Sequence, residues 1–373
     1  MSRPLYGAVT YRPEDPFVYE KLTIDDPREN EVLVKIAGVG ICHTDLIAKS
    51  GAVPYPFPAV LGHEGSGVVE KVGSSIENLQ SGDRVCMTFR SCGECDRCNE
   101  HHPAYCRNLP LLNFAGCRED QSSSLANENG AVASNMFGQS SFASYALGYE
   151  TNVVKIAEGI PLEIAGPLGC GIQTGVGAVT RSLSAQPGST IVIFGGGTVG
   201  LSAVMGAKIQ QCGSIIVVEP TASRRNLANE LGATHTLDPT QHDEIDKVIY
   251  SLLPNGADFA IDATGIAAVQ TDALACLGSK GVLGLIGVSP PNTPLPGDIS
   301  RMINLGLTIK GIMEGDSDPK TFIPELVDHY KAGRLPFDKL IKTYKLSDIN
   351  EAVADQHSGE CIKAVLLPND VED

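Results

Sequence analysis

The pattern of apolar and polar positions changes rhythm once along this chain. Up to about residue 170, short apolar runs alternate with Gly, Pro and polar clusters, the spacing of strands. Residues 5–11 and 17–24 read as strands broken by Pro13 and Pro16. Residues 31–39 carry a β-branched core and form a strand that closes in Gly40-Ile41-Cys42-His43-Thr44-Asp45. The Pro-rich run 54–58 is a loop, 68–72 a strand, and 81–85 a turn into another strand. Residues 118–135 read as a polar surface loop, and 137–146 as a return to strand. This Gly-punctuated β pattern predicts a small barrel-like fold.

From about residue 172 strands and helices alternate. Helices are expected at 174–183, 198–210, 224–231 and near 267–277, and strands at 190–194, 214–219, 259–262 and 281–287. That alternation predicts an α/β doubly wound parallel sheet. A strand at 307–313, a helix at 319–332 and a helix–strand unit ending at 362–366 close the chain. A length of 373 residues exceeds what one core supports. The expected domains are 1–171 with 315–373, carrying a cysteine-dense lobe at 91–108, and 172–314.

Composition narrows the function classes. Hydrophobic content of 42% and charged content of 19% are those of a globular chain. The net charge of −16 repels phosphate backbones and anionic lipid, so nucleic acid and membrane are excluded as partners. No apolar leader follows Met1 and the apolar runs are only strand-length, so a cytoplasmic location is expected. In that setting eleven cysteines are thiols or metal ligands rather than disulfides.

Three constellations carry chemistry. Cys92, Cys95, Cys98 and Cys106 supply four soft ligands from one short loop, the donor set of a closed structural zinc site. The iron–sulfur run has a final x3 spacing and a following Pro, which this loop lacks. Cys42, His63 and Cys170 form a second set. Two thiolates and one imidazole leave a fourth position open, the pattern of a catalytic zinc. Cys170 lies in the Gly-rich run 166–175, where the two domains are expected to meet. Third, Gly195-Gly196-Gly197-Thr198-Val199-Gly200 follows a strand and opens a helix, which is the dinucleotide-binding fingerprint. Glu219 ends the next strand, where an acid receives the adenosine ribose hydroxyls and favours NAD over NADP. Arg224 and Arg225 follow closely and argue the other way.

Taken together, Gly40-x-Cys42-His43-Thr44-Asp45, Gly62-His63-Glu64, the four-cysteine lobe, Cys170 and the dinucleotide loop resemble the zinc-containing medium-chain alcohol dehydrogenases, over essentially the whole chain. Residues 137–142 and 166–175 and the pair Glu219-Pro220 look most like the aryl-alcohol members. The resemblance implies a GroES-like catalytic domain and a Rossmann cofactor domain, binding one catalytic and one structural zinc. It implies oxidation of a primary alcohol, aromatic or allylic, to the aldehyde, with hydride transfer to NAD. Thr44 matches the hydroxyl that takes the alcohol proton, Glu64 a carboxylate behind the zinc, and Asp45 one that orients His63. His43 and Lys363 match basic residues near the pyrophosphate, and Thr174 and Val199 residues lining the nicotinamide. Where many relatives end the proton relay in a His, this chain has Ile47. The late strand at 307–313 resembles an edge that forms homodimers, so a homodimer or homotetramer is expected.

Overall fold

The computed structural model describes residues 2–368. The chain divides into two compact units: residues up to 170 with 318–333 and those from 337 on, and residues 171–317 with 334–336.

The first unit is built on two sheets around one apolar core. One runs Ala59–Val60, Arg3–Thr10, Val18–Ile24, Leu125–Asn127, Gly130–Val132. The other runs Val153–Lys155, Arg84–Met87, Glu64–Val72, Glu31–Gly40, Lys363–Leu367, Ile341–Lys345, and Tyr145–Tyr149 also pairs with Glu31–Gly40. Leu5, Val9, Leu22, Val34, Phe142 and Leu366 fill the core between them. Glu31–Gly40 is central and buried over most of its length, so it reads as a near-continuous apolar run rather than an alternation. Its last residue, Gly40, pairs with Glu64 on one side and Val365 on the other. A Cβ on Gly40 would stand 2.0 Å from Glu64 Oε2, so the close approach requires glycine.

Three expectations for this unit are corrected. Helix His43–Ser50 follows the central strand directly, with Cys42 as its N-cap. Residues 118–135 are not only surface loop. They contain the hairpin Leu125–Asn127/Gly130–Val132, and Arg118 is buried, with Nε and Nη2 at 2.6 and 2.9 Å from the two Glu31 carboxylate oxygens. Charge pairing, not apolar burial, anchors that segment, so its polar composition was misleading. Within 137–146 the strand begins only at Tyr145, because Phe137 and Ser140 adopt positive φ angles of 53° and 55°.

The second unit is a six-stranded parallel sheet in the order His235–Leu237, Ser214–Val218, Thr190–Phe194, Ala257–Asp262, Leu277–Leu285, Thr308–Gly311. Numbered along the chain this is 3-2-1-4-5-6, the doubly wound order with its switch point beside Thr190–Phe194. Helix Thr198–Ile209 follows the first strand and Ala222–Leu231 the second. The helix expected at 174–183 starts earlier, at Gly171, and ends in a π-helical turn at Ala178–Ser182. Strand His235–Leu237 and helices Ile245–Leu252 and Ile299–Leu305 were not among the expected elements, although Ile245, Val248, Ile249 and Leu252 carry the i, i+3, i+4, i+7 spacing of an amphipathic helix. Among the described residues no helix is long and apolar enough to cross a membrane.

Candidate active site and metal centre

Cys42, His63, Glu64 and Cys170 come together in the first unit, with one donor atom of each within 4.8 Å of the others. They arrive from different directions: Cys42 from the end of the central strand, His63 and Glu64 from the start of the strand beside it, Cys170 from the close of the 3₁₀ turn Gly166–Gly169. Cys170 is also the last residue of the first unit before the chain crosses to the second. Cys42 Sγ and Cys170 Sγ lie 4.0 Å apart. Two thiolates at 2.3 Å from one tetrahedral zinc would be separated by about 3.8 Å.

Asp45 is the organiser of this cluster. Its carboxylate is fully buried and lies 2.8 Å from His63 Nδ1, while accepting hydrogen bonds from Gly62 N and Cys42 N, both at 3.0 Å. With Nδ1 held, the imidazole offers Nε2, which is buried and has no hydrogen-bond partner among the described residues. A buried ring nitrogen without a partner is costly unless a metal takes it, so the donor set fits zinc. Cys170 and the nearby imidazole draw the Cys42 thiol well below its usual range, against the opposing effect of burial. Burial opposes a charge on His63, yet Asp45 and Cys42 outweigh it and hold its pKa well above the ordinary value.

Two residues not singled out individually in the sequence brace His63. Gln139 donates to the His63 carbonyl at 2.7 Å and the Thr88 carbonyl at 3.1 Å, and accepts from Gly65 N at 3.1 Å. Phe137 stacks on the imidazole with ring centroids 4.3 Å apart. The positive φ of Phe137 is costly for an aromatic residue, on the order of 1–3 kcal/mol. The polar run after Phe137 was the available signal.

Thr44 stands beside the cluster, its Oγ1 3.7 Å from Cys42 Sγ; His43 is exposed and Ile47 half-buried. Lys363, expected near a pyrophosphate, is instead 2% exposed. Its Nζ donates to Glu64 Oε1 at 2.7 Å and to the Ile41 carbonyl at 2.9 Å, and lies 2.5 Å from Glu64 Oε2. A buried lysine is drawn to the nearest buried carboxylate, and here that carboxylate is the fourth member of the metal cluster.

The four cysteines of the lobe also converge, with Sγ atoms of Cys92 and Cys98 3.9 Å apart and of Cys95 and Cys98 3.6 Å apart. Backbone N–H groups point at the sulfurs. Arg107 N reaches Cys95 Sγ at 3.5 Å, and with the Cys98 amide it draws that thiol down to about 6. No open position remains among four thiolates, so this is a closed site.

In the second unit Gly195, Gly197 and Gly200 have the geometry of the fingerprint. A Cβ on Gly200 would lie 1.8 Å from the Gly195 carbonyl oxygen, the tight helix–strand approach. A Cβ on Gly197 would meet no atom within 4 Å, which leaves room for a pyrophosphate at the start of helix Thr198–Ile209. Glu219 is 4% exposed and accepts from Gly196 N at 2.6 Å and Thr221 N at 2.8 Å. Val199 lies in the same helix, and a Cβ on Gly175 would lie 2.2 Å from its carbonyl oxygen, so helices 171–177 and 198–209 pack closely. Thr174 Oγ1 donates to Glu314 at 3.3 Å. Arg224 stands on helix Ala222–Leu231, and its Nε is buried without a partner among the described residues.

Residues 28–158 match the alcohol dehydrogenase GroES-like domain family, and residues 198–330 the zinc-binding dehydrogenase family. Geraniol dehydrogenase of Castellaniella defragrans is 45% identical over 362 residues, covering 97% of each chain. The chain belongs to the zinc-binding alcohol dehydrogenase family. The dehydrogenase is also similar to the crystal structure of benzyl alcohol dehydrogenase from Acinetobacter calcoaceticus, with 40% identity and a TM-score of 0.95 over 98% of this chain and 99% of that one. An alcohol dehydrogenase zinc-binding domain protein from Burkholderia ambifaria superposes with a TM-score of 0.97 at 45% identity, over 98% and 99% of the two chains. The barrel-like and doubly wound units, the oxidoreductase activity, and the zinc and nicotinamide dinucleotide cofactors expected from the sequence agree with this membership.

Proposed function

We propose that the dehydrogenase oxidises a primary aromatic or allylic alcohol reversibly to its aldehyde, with NAD as hydride acceptor. The observation that carries this is the three-donor set Cys42, His63 and Cys170, with His63 Nε2 buried and unpartnered. A zinc held by Cys42, His63 and Cys170 would supply a Lewis acid for the alcohol oxygen, and a nicotinamide dinucleotide held by the Gly195–Gly200 loop would supply the hydride acceptor. Asp45 fixes the imidazole so that Nε2 serves as donor, and Thr44 receives the alcohol proton through Oγ1. Glu64 stands behind the metal with its charge balanced by Lys363. Gly195, Gly197, Thr198 and Gly200 form the pyrophosphate cradle, Glu219 receives the adenosine ribose, Arg224 flanks it, and Thr174 and Val199 line the nicotinamide. His43, exposed beside Thr44, offers the proton a way out that Ile47 does not.

Geraniol and benzyl alcohol, for which two similar proteins are named, share a carbinol carbon next to a π system. The test is steady-state turnover with NAD and NADP across benzyl, cinnamyl, allylic and short aliphatic alcohols. A kcat/KM highest for short aliphatic alcohols would overturn the substrate class. Cys170→Ser and His63→Ala should lose turnover and keep NAD binding. Activity retained in a variant shown to lack zinc at that site would overturn the mechanism.

A homodimer or homotetramer fits the second unit. Thr308–Gly311 is an edge strand, and Leu295, Ile299 and Ile303 nearby in sequence are each at least 75% exposed. Light scattering reads that state. None of the eleven cysteines is in a disulfide, which suits a reducing, cytoplasmic setting.

A further inference from the structure

Two arginines follow Glu219, and the structure treats them differently. Arg224 Nε is unpartnered, as described above. Arg225 is clamped. Its Nη1 donates to the carbonyls of Glu219 and Pro220 at 2.7 and 2.6 Å, and its Nη2 lies 3.1 Å from Asp238 Oδ2. Asp238 directly follows strand His235–Leu237, which lies beside the strand leading to Glu219; Glu219 N donates to the Leu237 carbonyl at 3.0 Å. Arg225 therefore joins two adjoining strand ends, with the backbone carbonyls of Glu219 and Pro220 on one side and the Asp238 carboxylate on the other. Asp238 is itself fixed, since Oδ1 accepts from Thr240 N at 3.0 Å and Thr240 Oγ1 at 2.7 Å. Neither partner of the clamp is free to swing out, with side chains only 17% and 14% exposed.

A guanidinium recognises a phosphate best through two parallel N–H bonds. Arg225 has both Nη1 protons committed, and its Nη2 is held in an ion pair with Asp238. A phosphate on the adenosine 2′-oxygen would meet a spent donor and two carboxylates. We propose that Asp238 is a positioning residue for cofactor choice, holding Arg225 against the Glu219 and Pro220 carbonyls and so withholding it from a 2′-phosphate. Glu219 alone rejects the phosphate by charge; Asp238 withdraws one of the two neighbouring cations that would compensate, leaving Arg224 as the other. The inference rests on the reading of Glu219 as the ribose acid.

The test is calorimetric binding of NAD and NADP to the zinc-loaded enzyme carrying Asp238→Asn. Asparagine keeps an oxygen for the Thr240 cap and loses the charge that holds Arg225. The expected result is about tenfold tighter NADP binding, some 1.4 kcal/mol, with NAD affinity changed less than about twofold. Asp238→Glu, which retains the charge, should keep the original NADP/NAD ratio, and Asp238→Asn/Arg225→Gln should lose the gain. An unchanged ratio in Asp238→Asn, or a gain that survives removal of Arg225, overturns the proposal. Failure of the unaltered enzyme to bind NAD would overturn the ribose reading along with it.

Discussion

Asp45→Asn isolates the role of one carboxylate in holding the catalytic metal. The native group receives three N–H donors, from Cys42, Gly62 and His63. An asparagine can turn its oxygen toward His63 and Gly62, but its amide then faces the Cys42 N–H, donor against donor. One buried N–H is left unsatisfied, at a cost of about 1–3 kcal/mol. The imidazole also loses its charged partner, which typically lowers metal affinity 10–100-fold. The assay is elemental analysis after dialysis against graded chelator. The unaltered protein should give up its open-site zinc first and its lobe zinc last. Asp45→Asn should release the open-site zinc at about 10–100-fold lower chelator concentration, with the lobe metal unchanged. Equal retention at both sites would refute the idea that Asp45 holds His63 in its metal-binding pose.

Other consequences are as direct. Lys363→Met leaves Glu64 charged and buried, and should cost about 3–5 kcal/mol of stability, read as a lowered denaturant midpoint; Glu64→Gln added to it should restore most of the loss. Gly200→Ala forces a methyl onto the Gly195 carbonyl and should lower the unfolding midpoint as well as abolish NAD binding. Gly197→Ala meets open space and should fold normally, yet raise the NAD dissociation constant at least about tenfold, as measured by fluorescence quenching. Cys95→Ser should remove the lobe zinc and expose residues 92–106 to protease, while a spectroscopic cobalt probe still reports the open site.

Much of this was legible because the chemistry is local. The four lobe cysteines lie within fifteen residues, so spacing alone implied their convergence. The glycine loop announced itself because Gly195 and Gly200 answer steric demands of one short turn and Gly197 between them keeps the approach to it open. What stayed hidden depends on partners distant in sequence. Lys363 is basic, and nothing near it tells that its partner is Glu64. Arg118 sits in a Ser-rich stretch, and only the fold brings it to Glu31. Helix His43–Ser50 is eight residues long and hides behind the strand pattern that runs into Cys42. Phe137 defeats propensity outright, since an aromatic residue is rarely placed at positive φ.

The pairing of Glu64 with Lys363 also has a meaning in time. The partners are 299 residues apart, and the whole dinucleotide unit lies between them in the order of synthesis. At about 5–20 residues per second, a ribosome makes Glu64 roughly 15–60 s before Lys363. Once Cys170 has been made, about two-thirds of that interval remains, and through it the zinc donors Cys42, His63 and Cys170 all exist while the carboxylate beside them has no counter-ion. The nascent metal pocket is therefore more negative than the finished one. It attracts a divalent cation most strongly before the chain is complete, and the last strand to emerge then neutralises the carboxylate from behind.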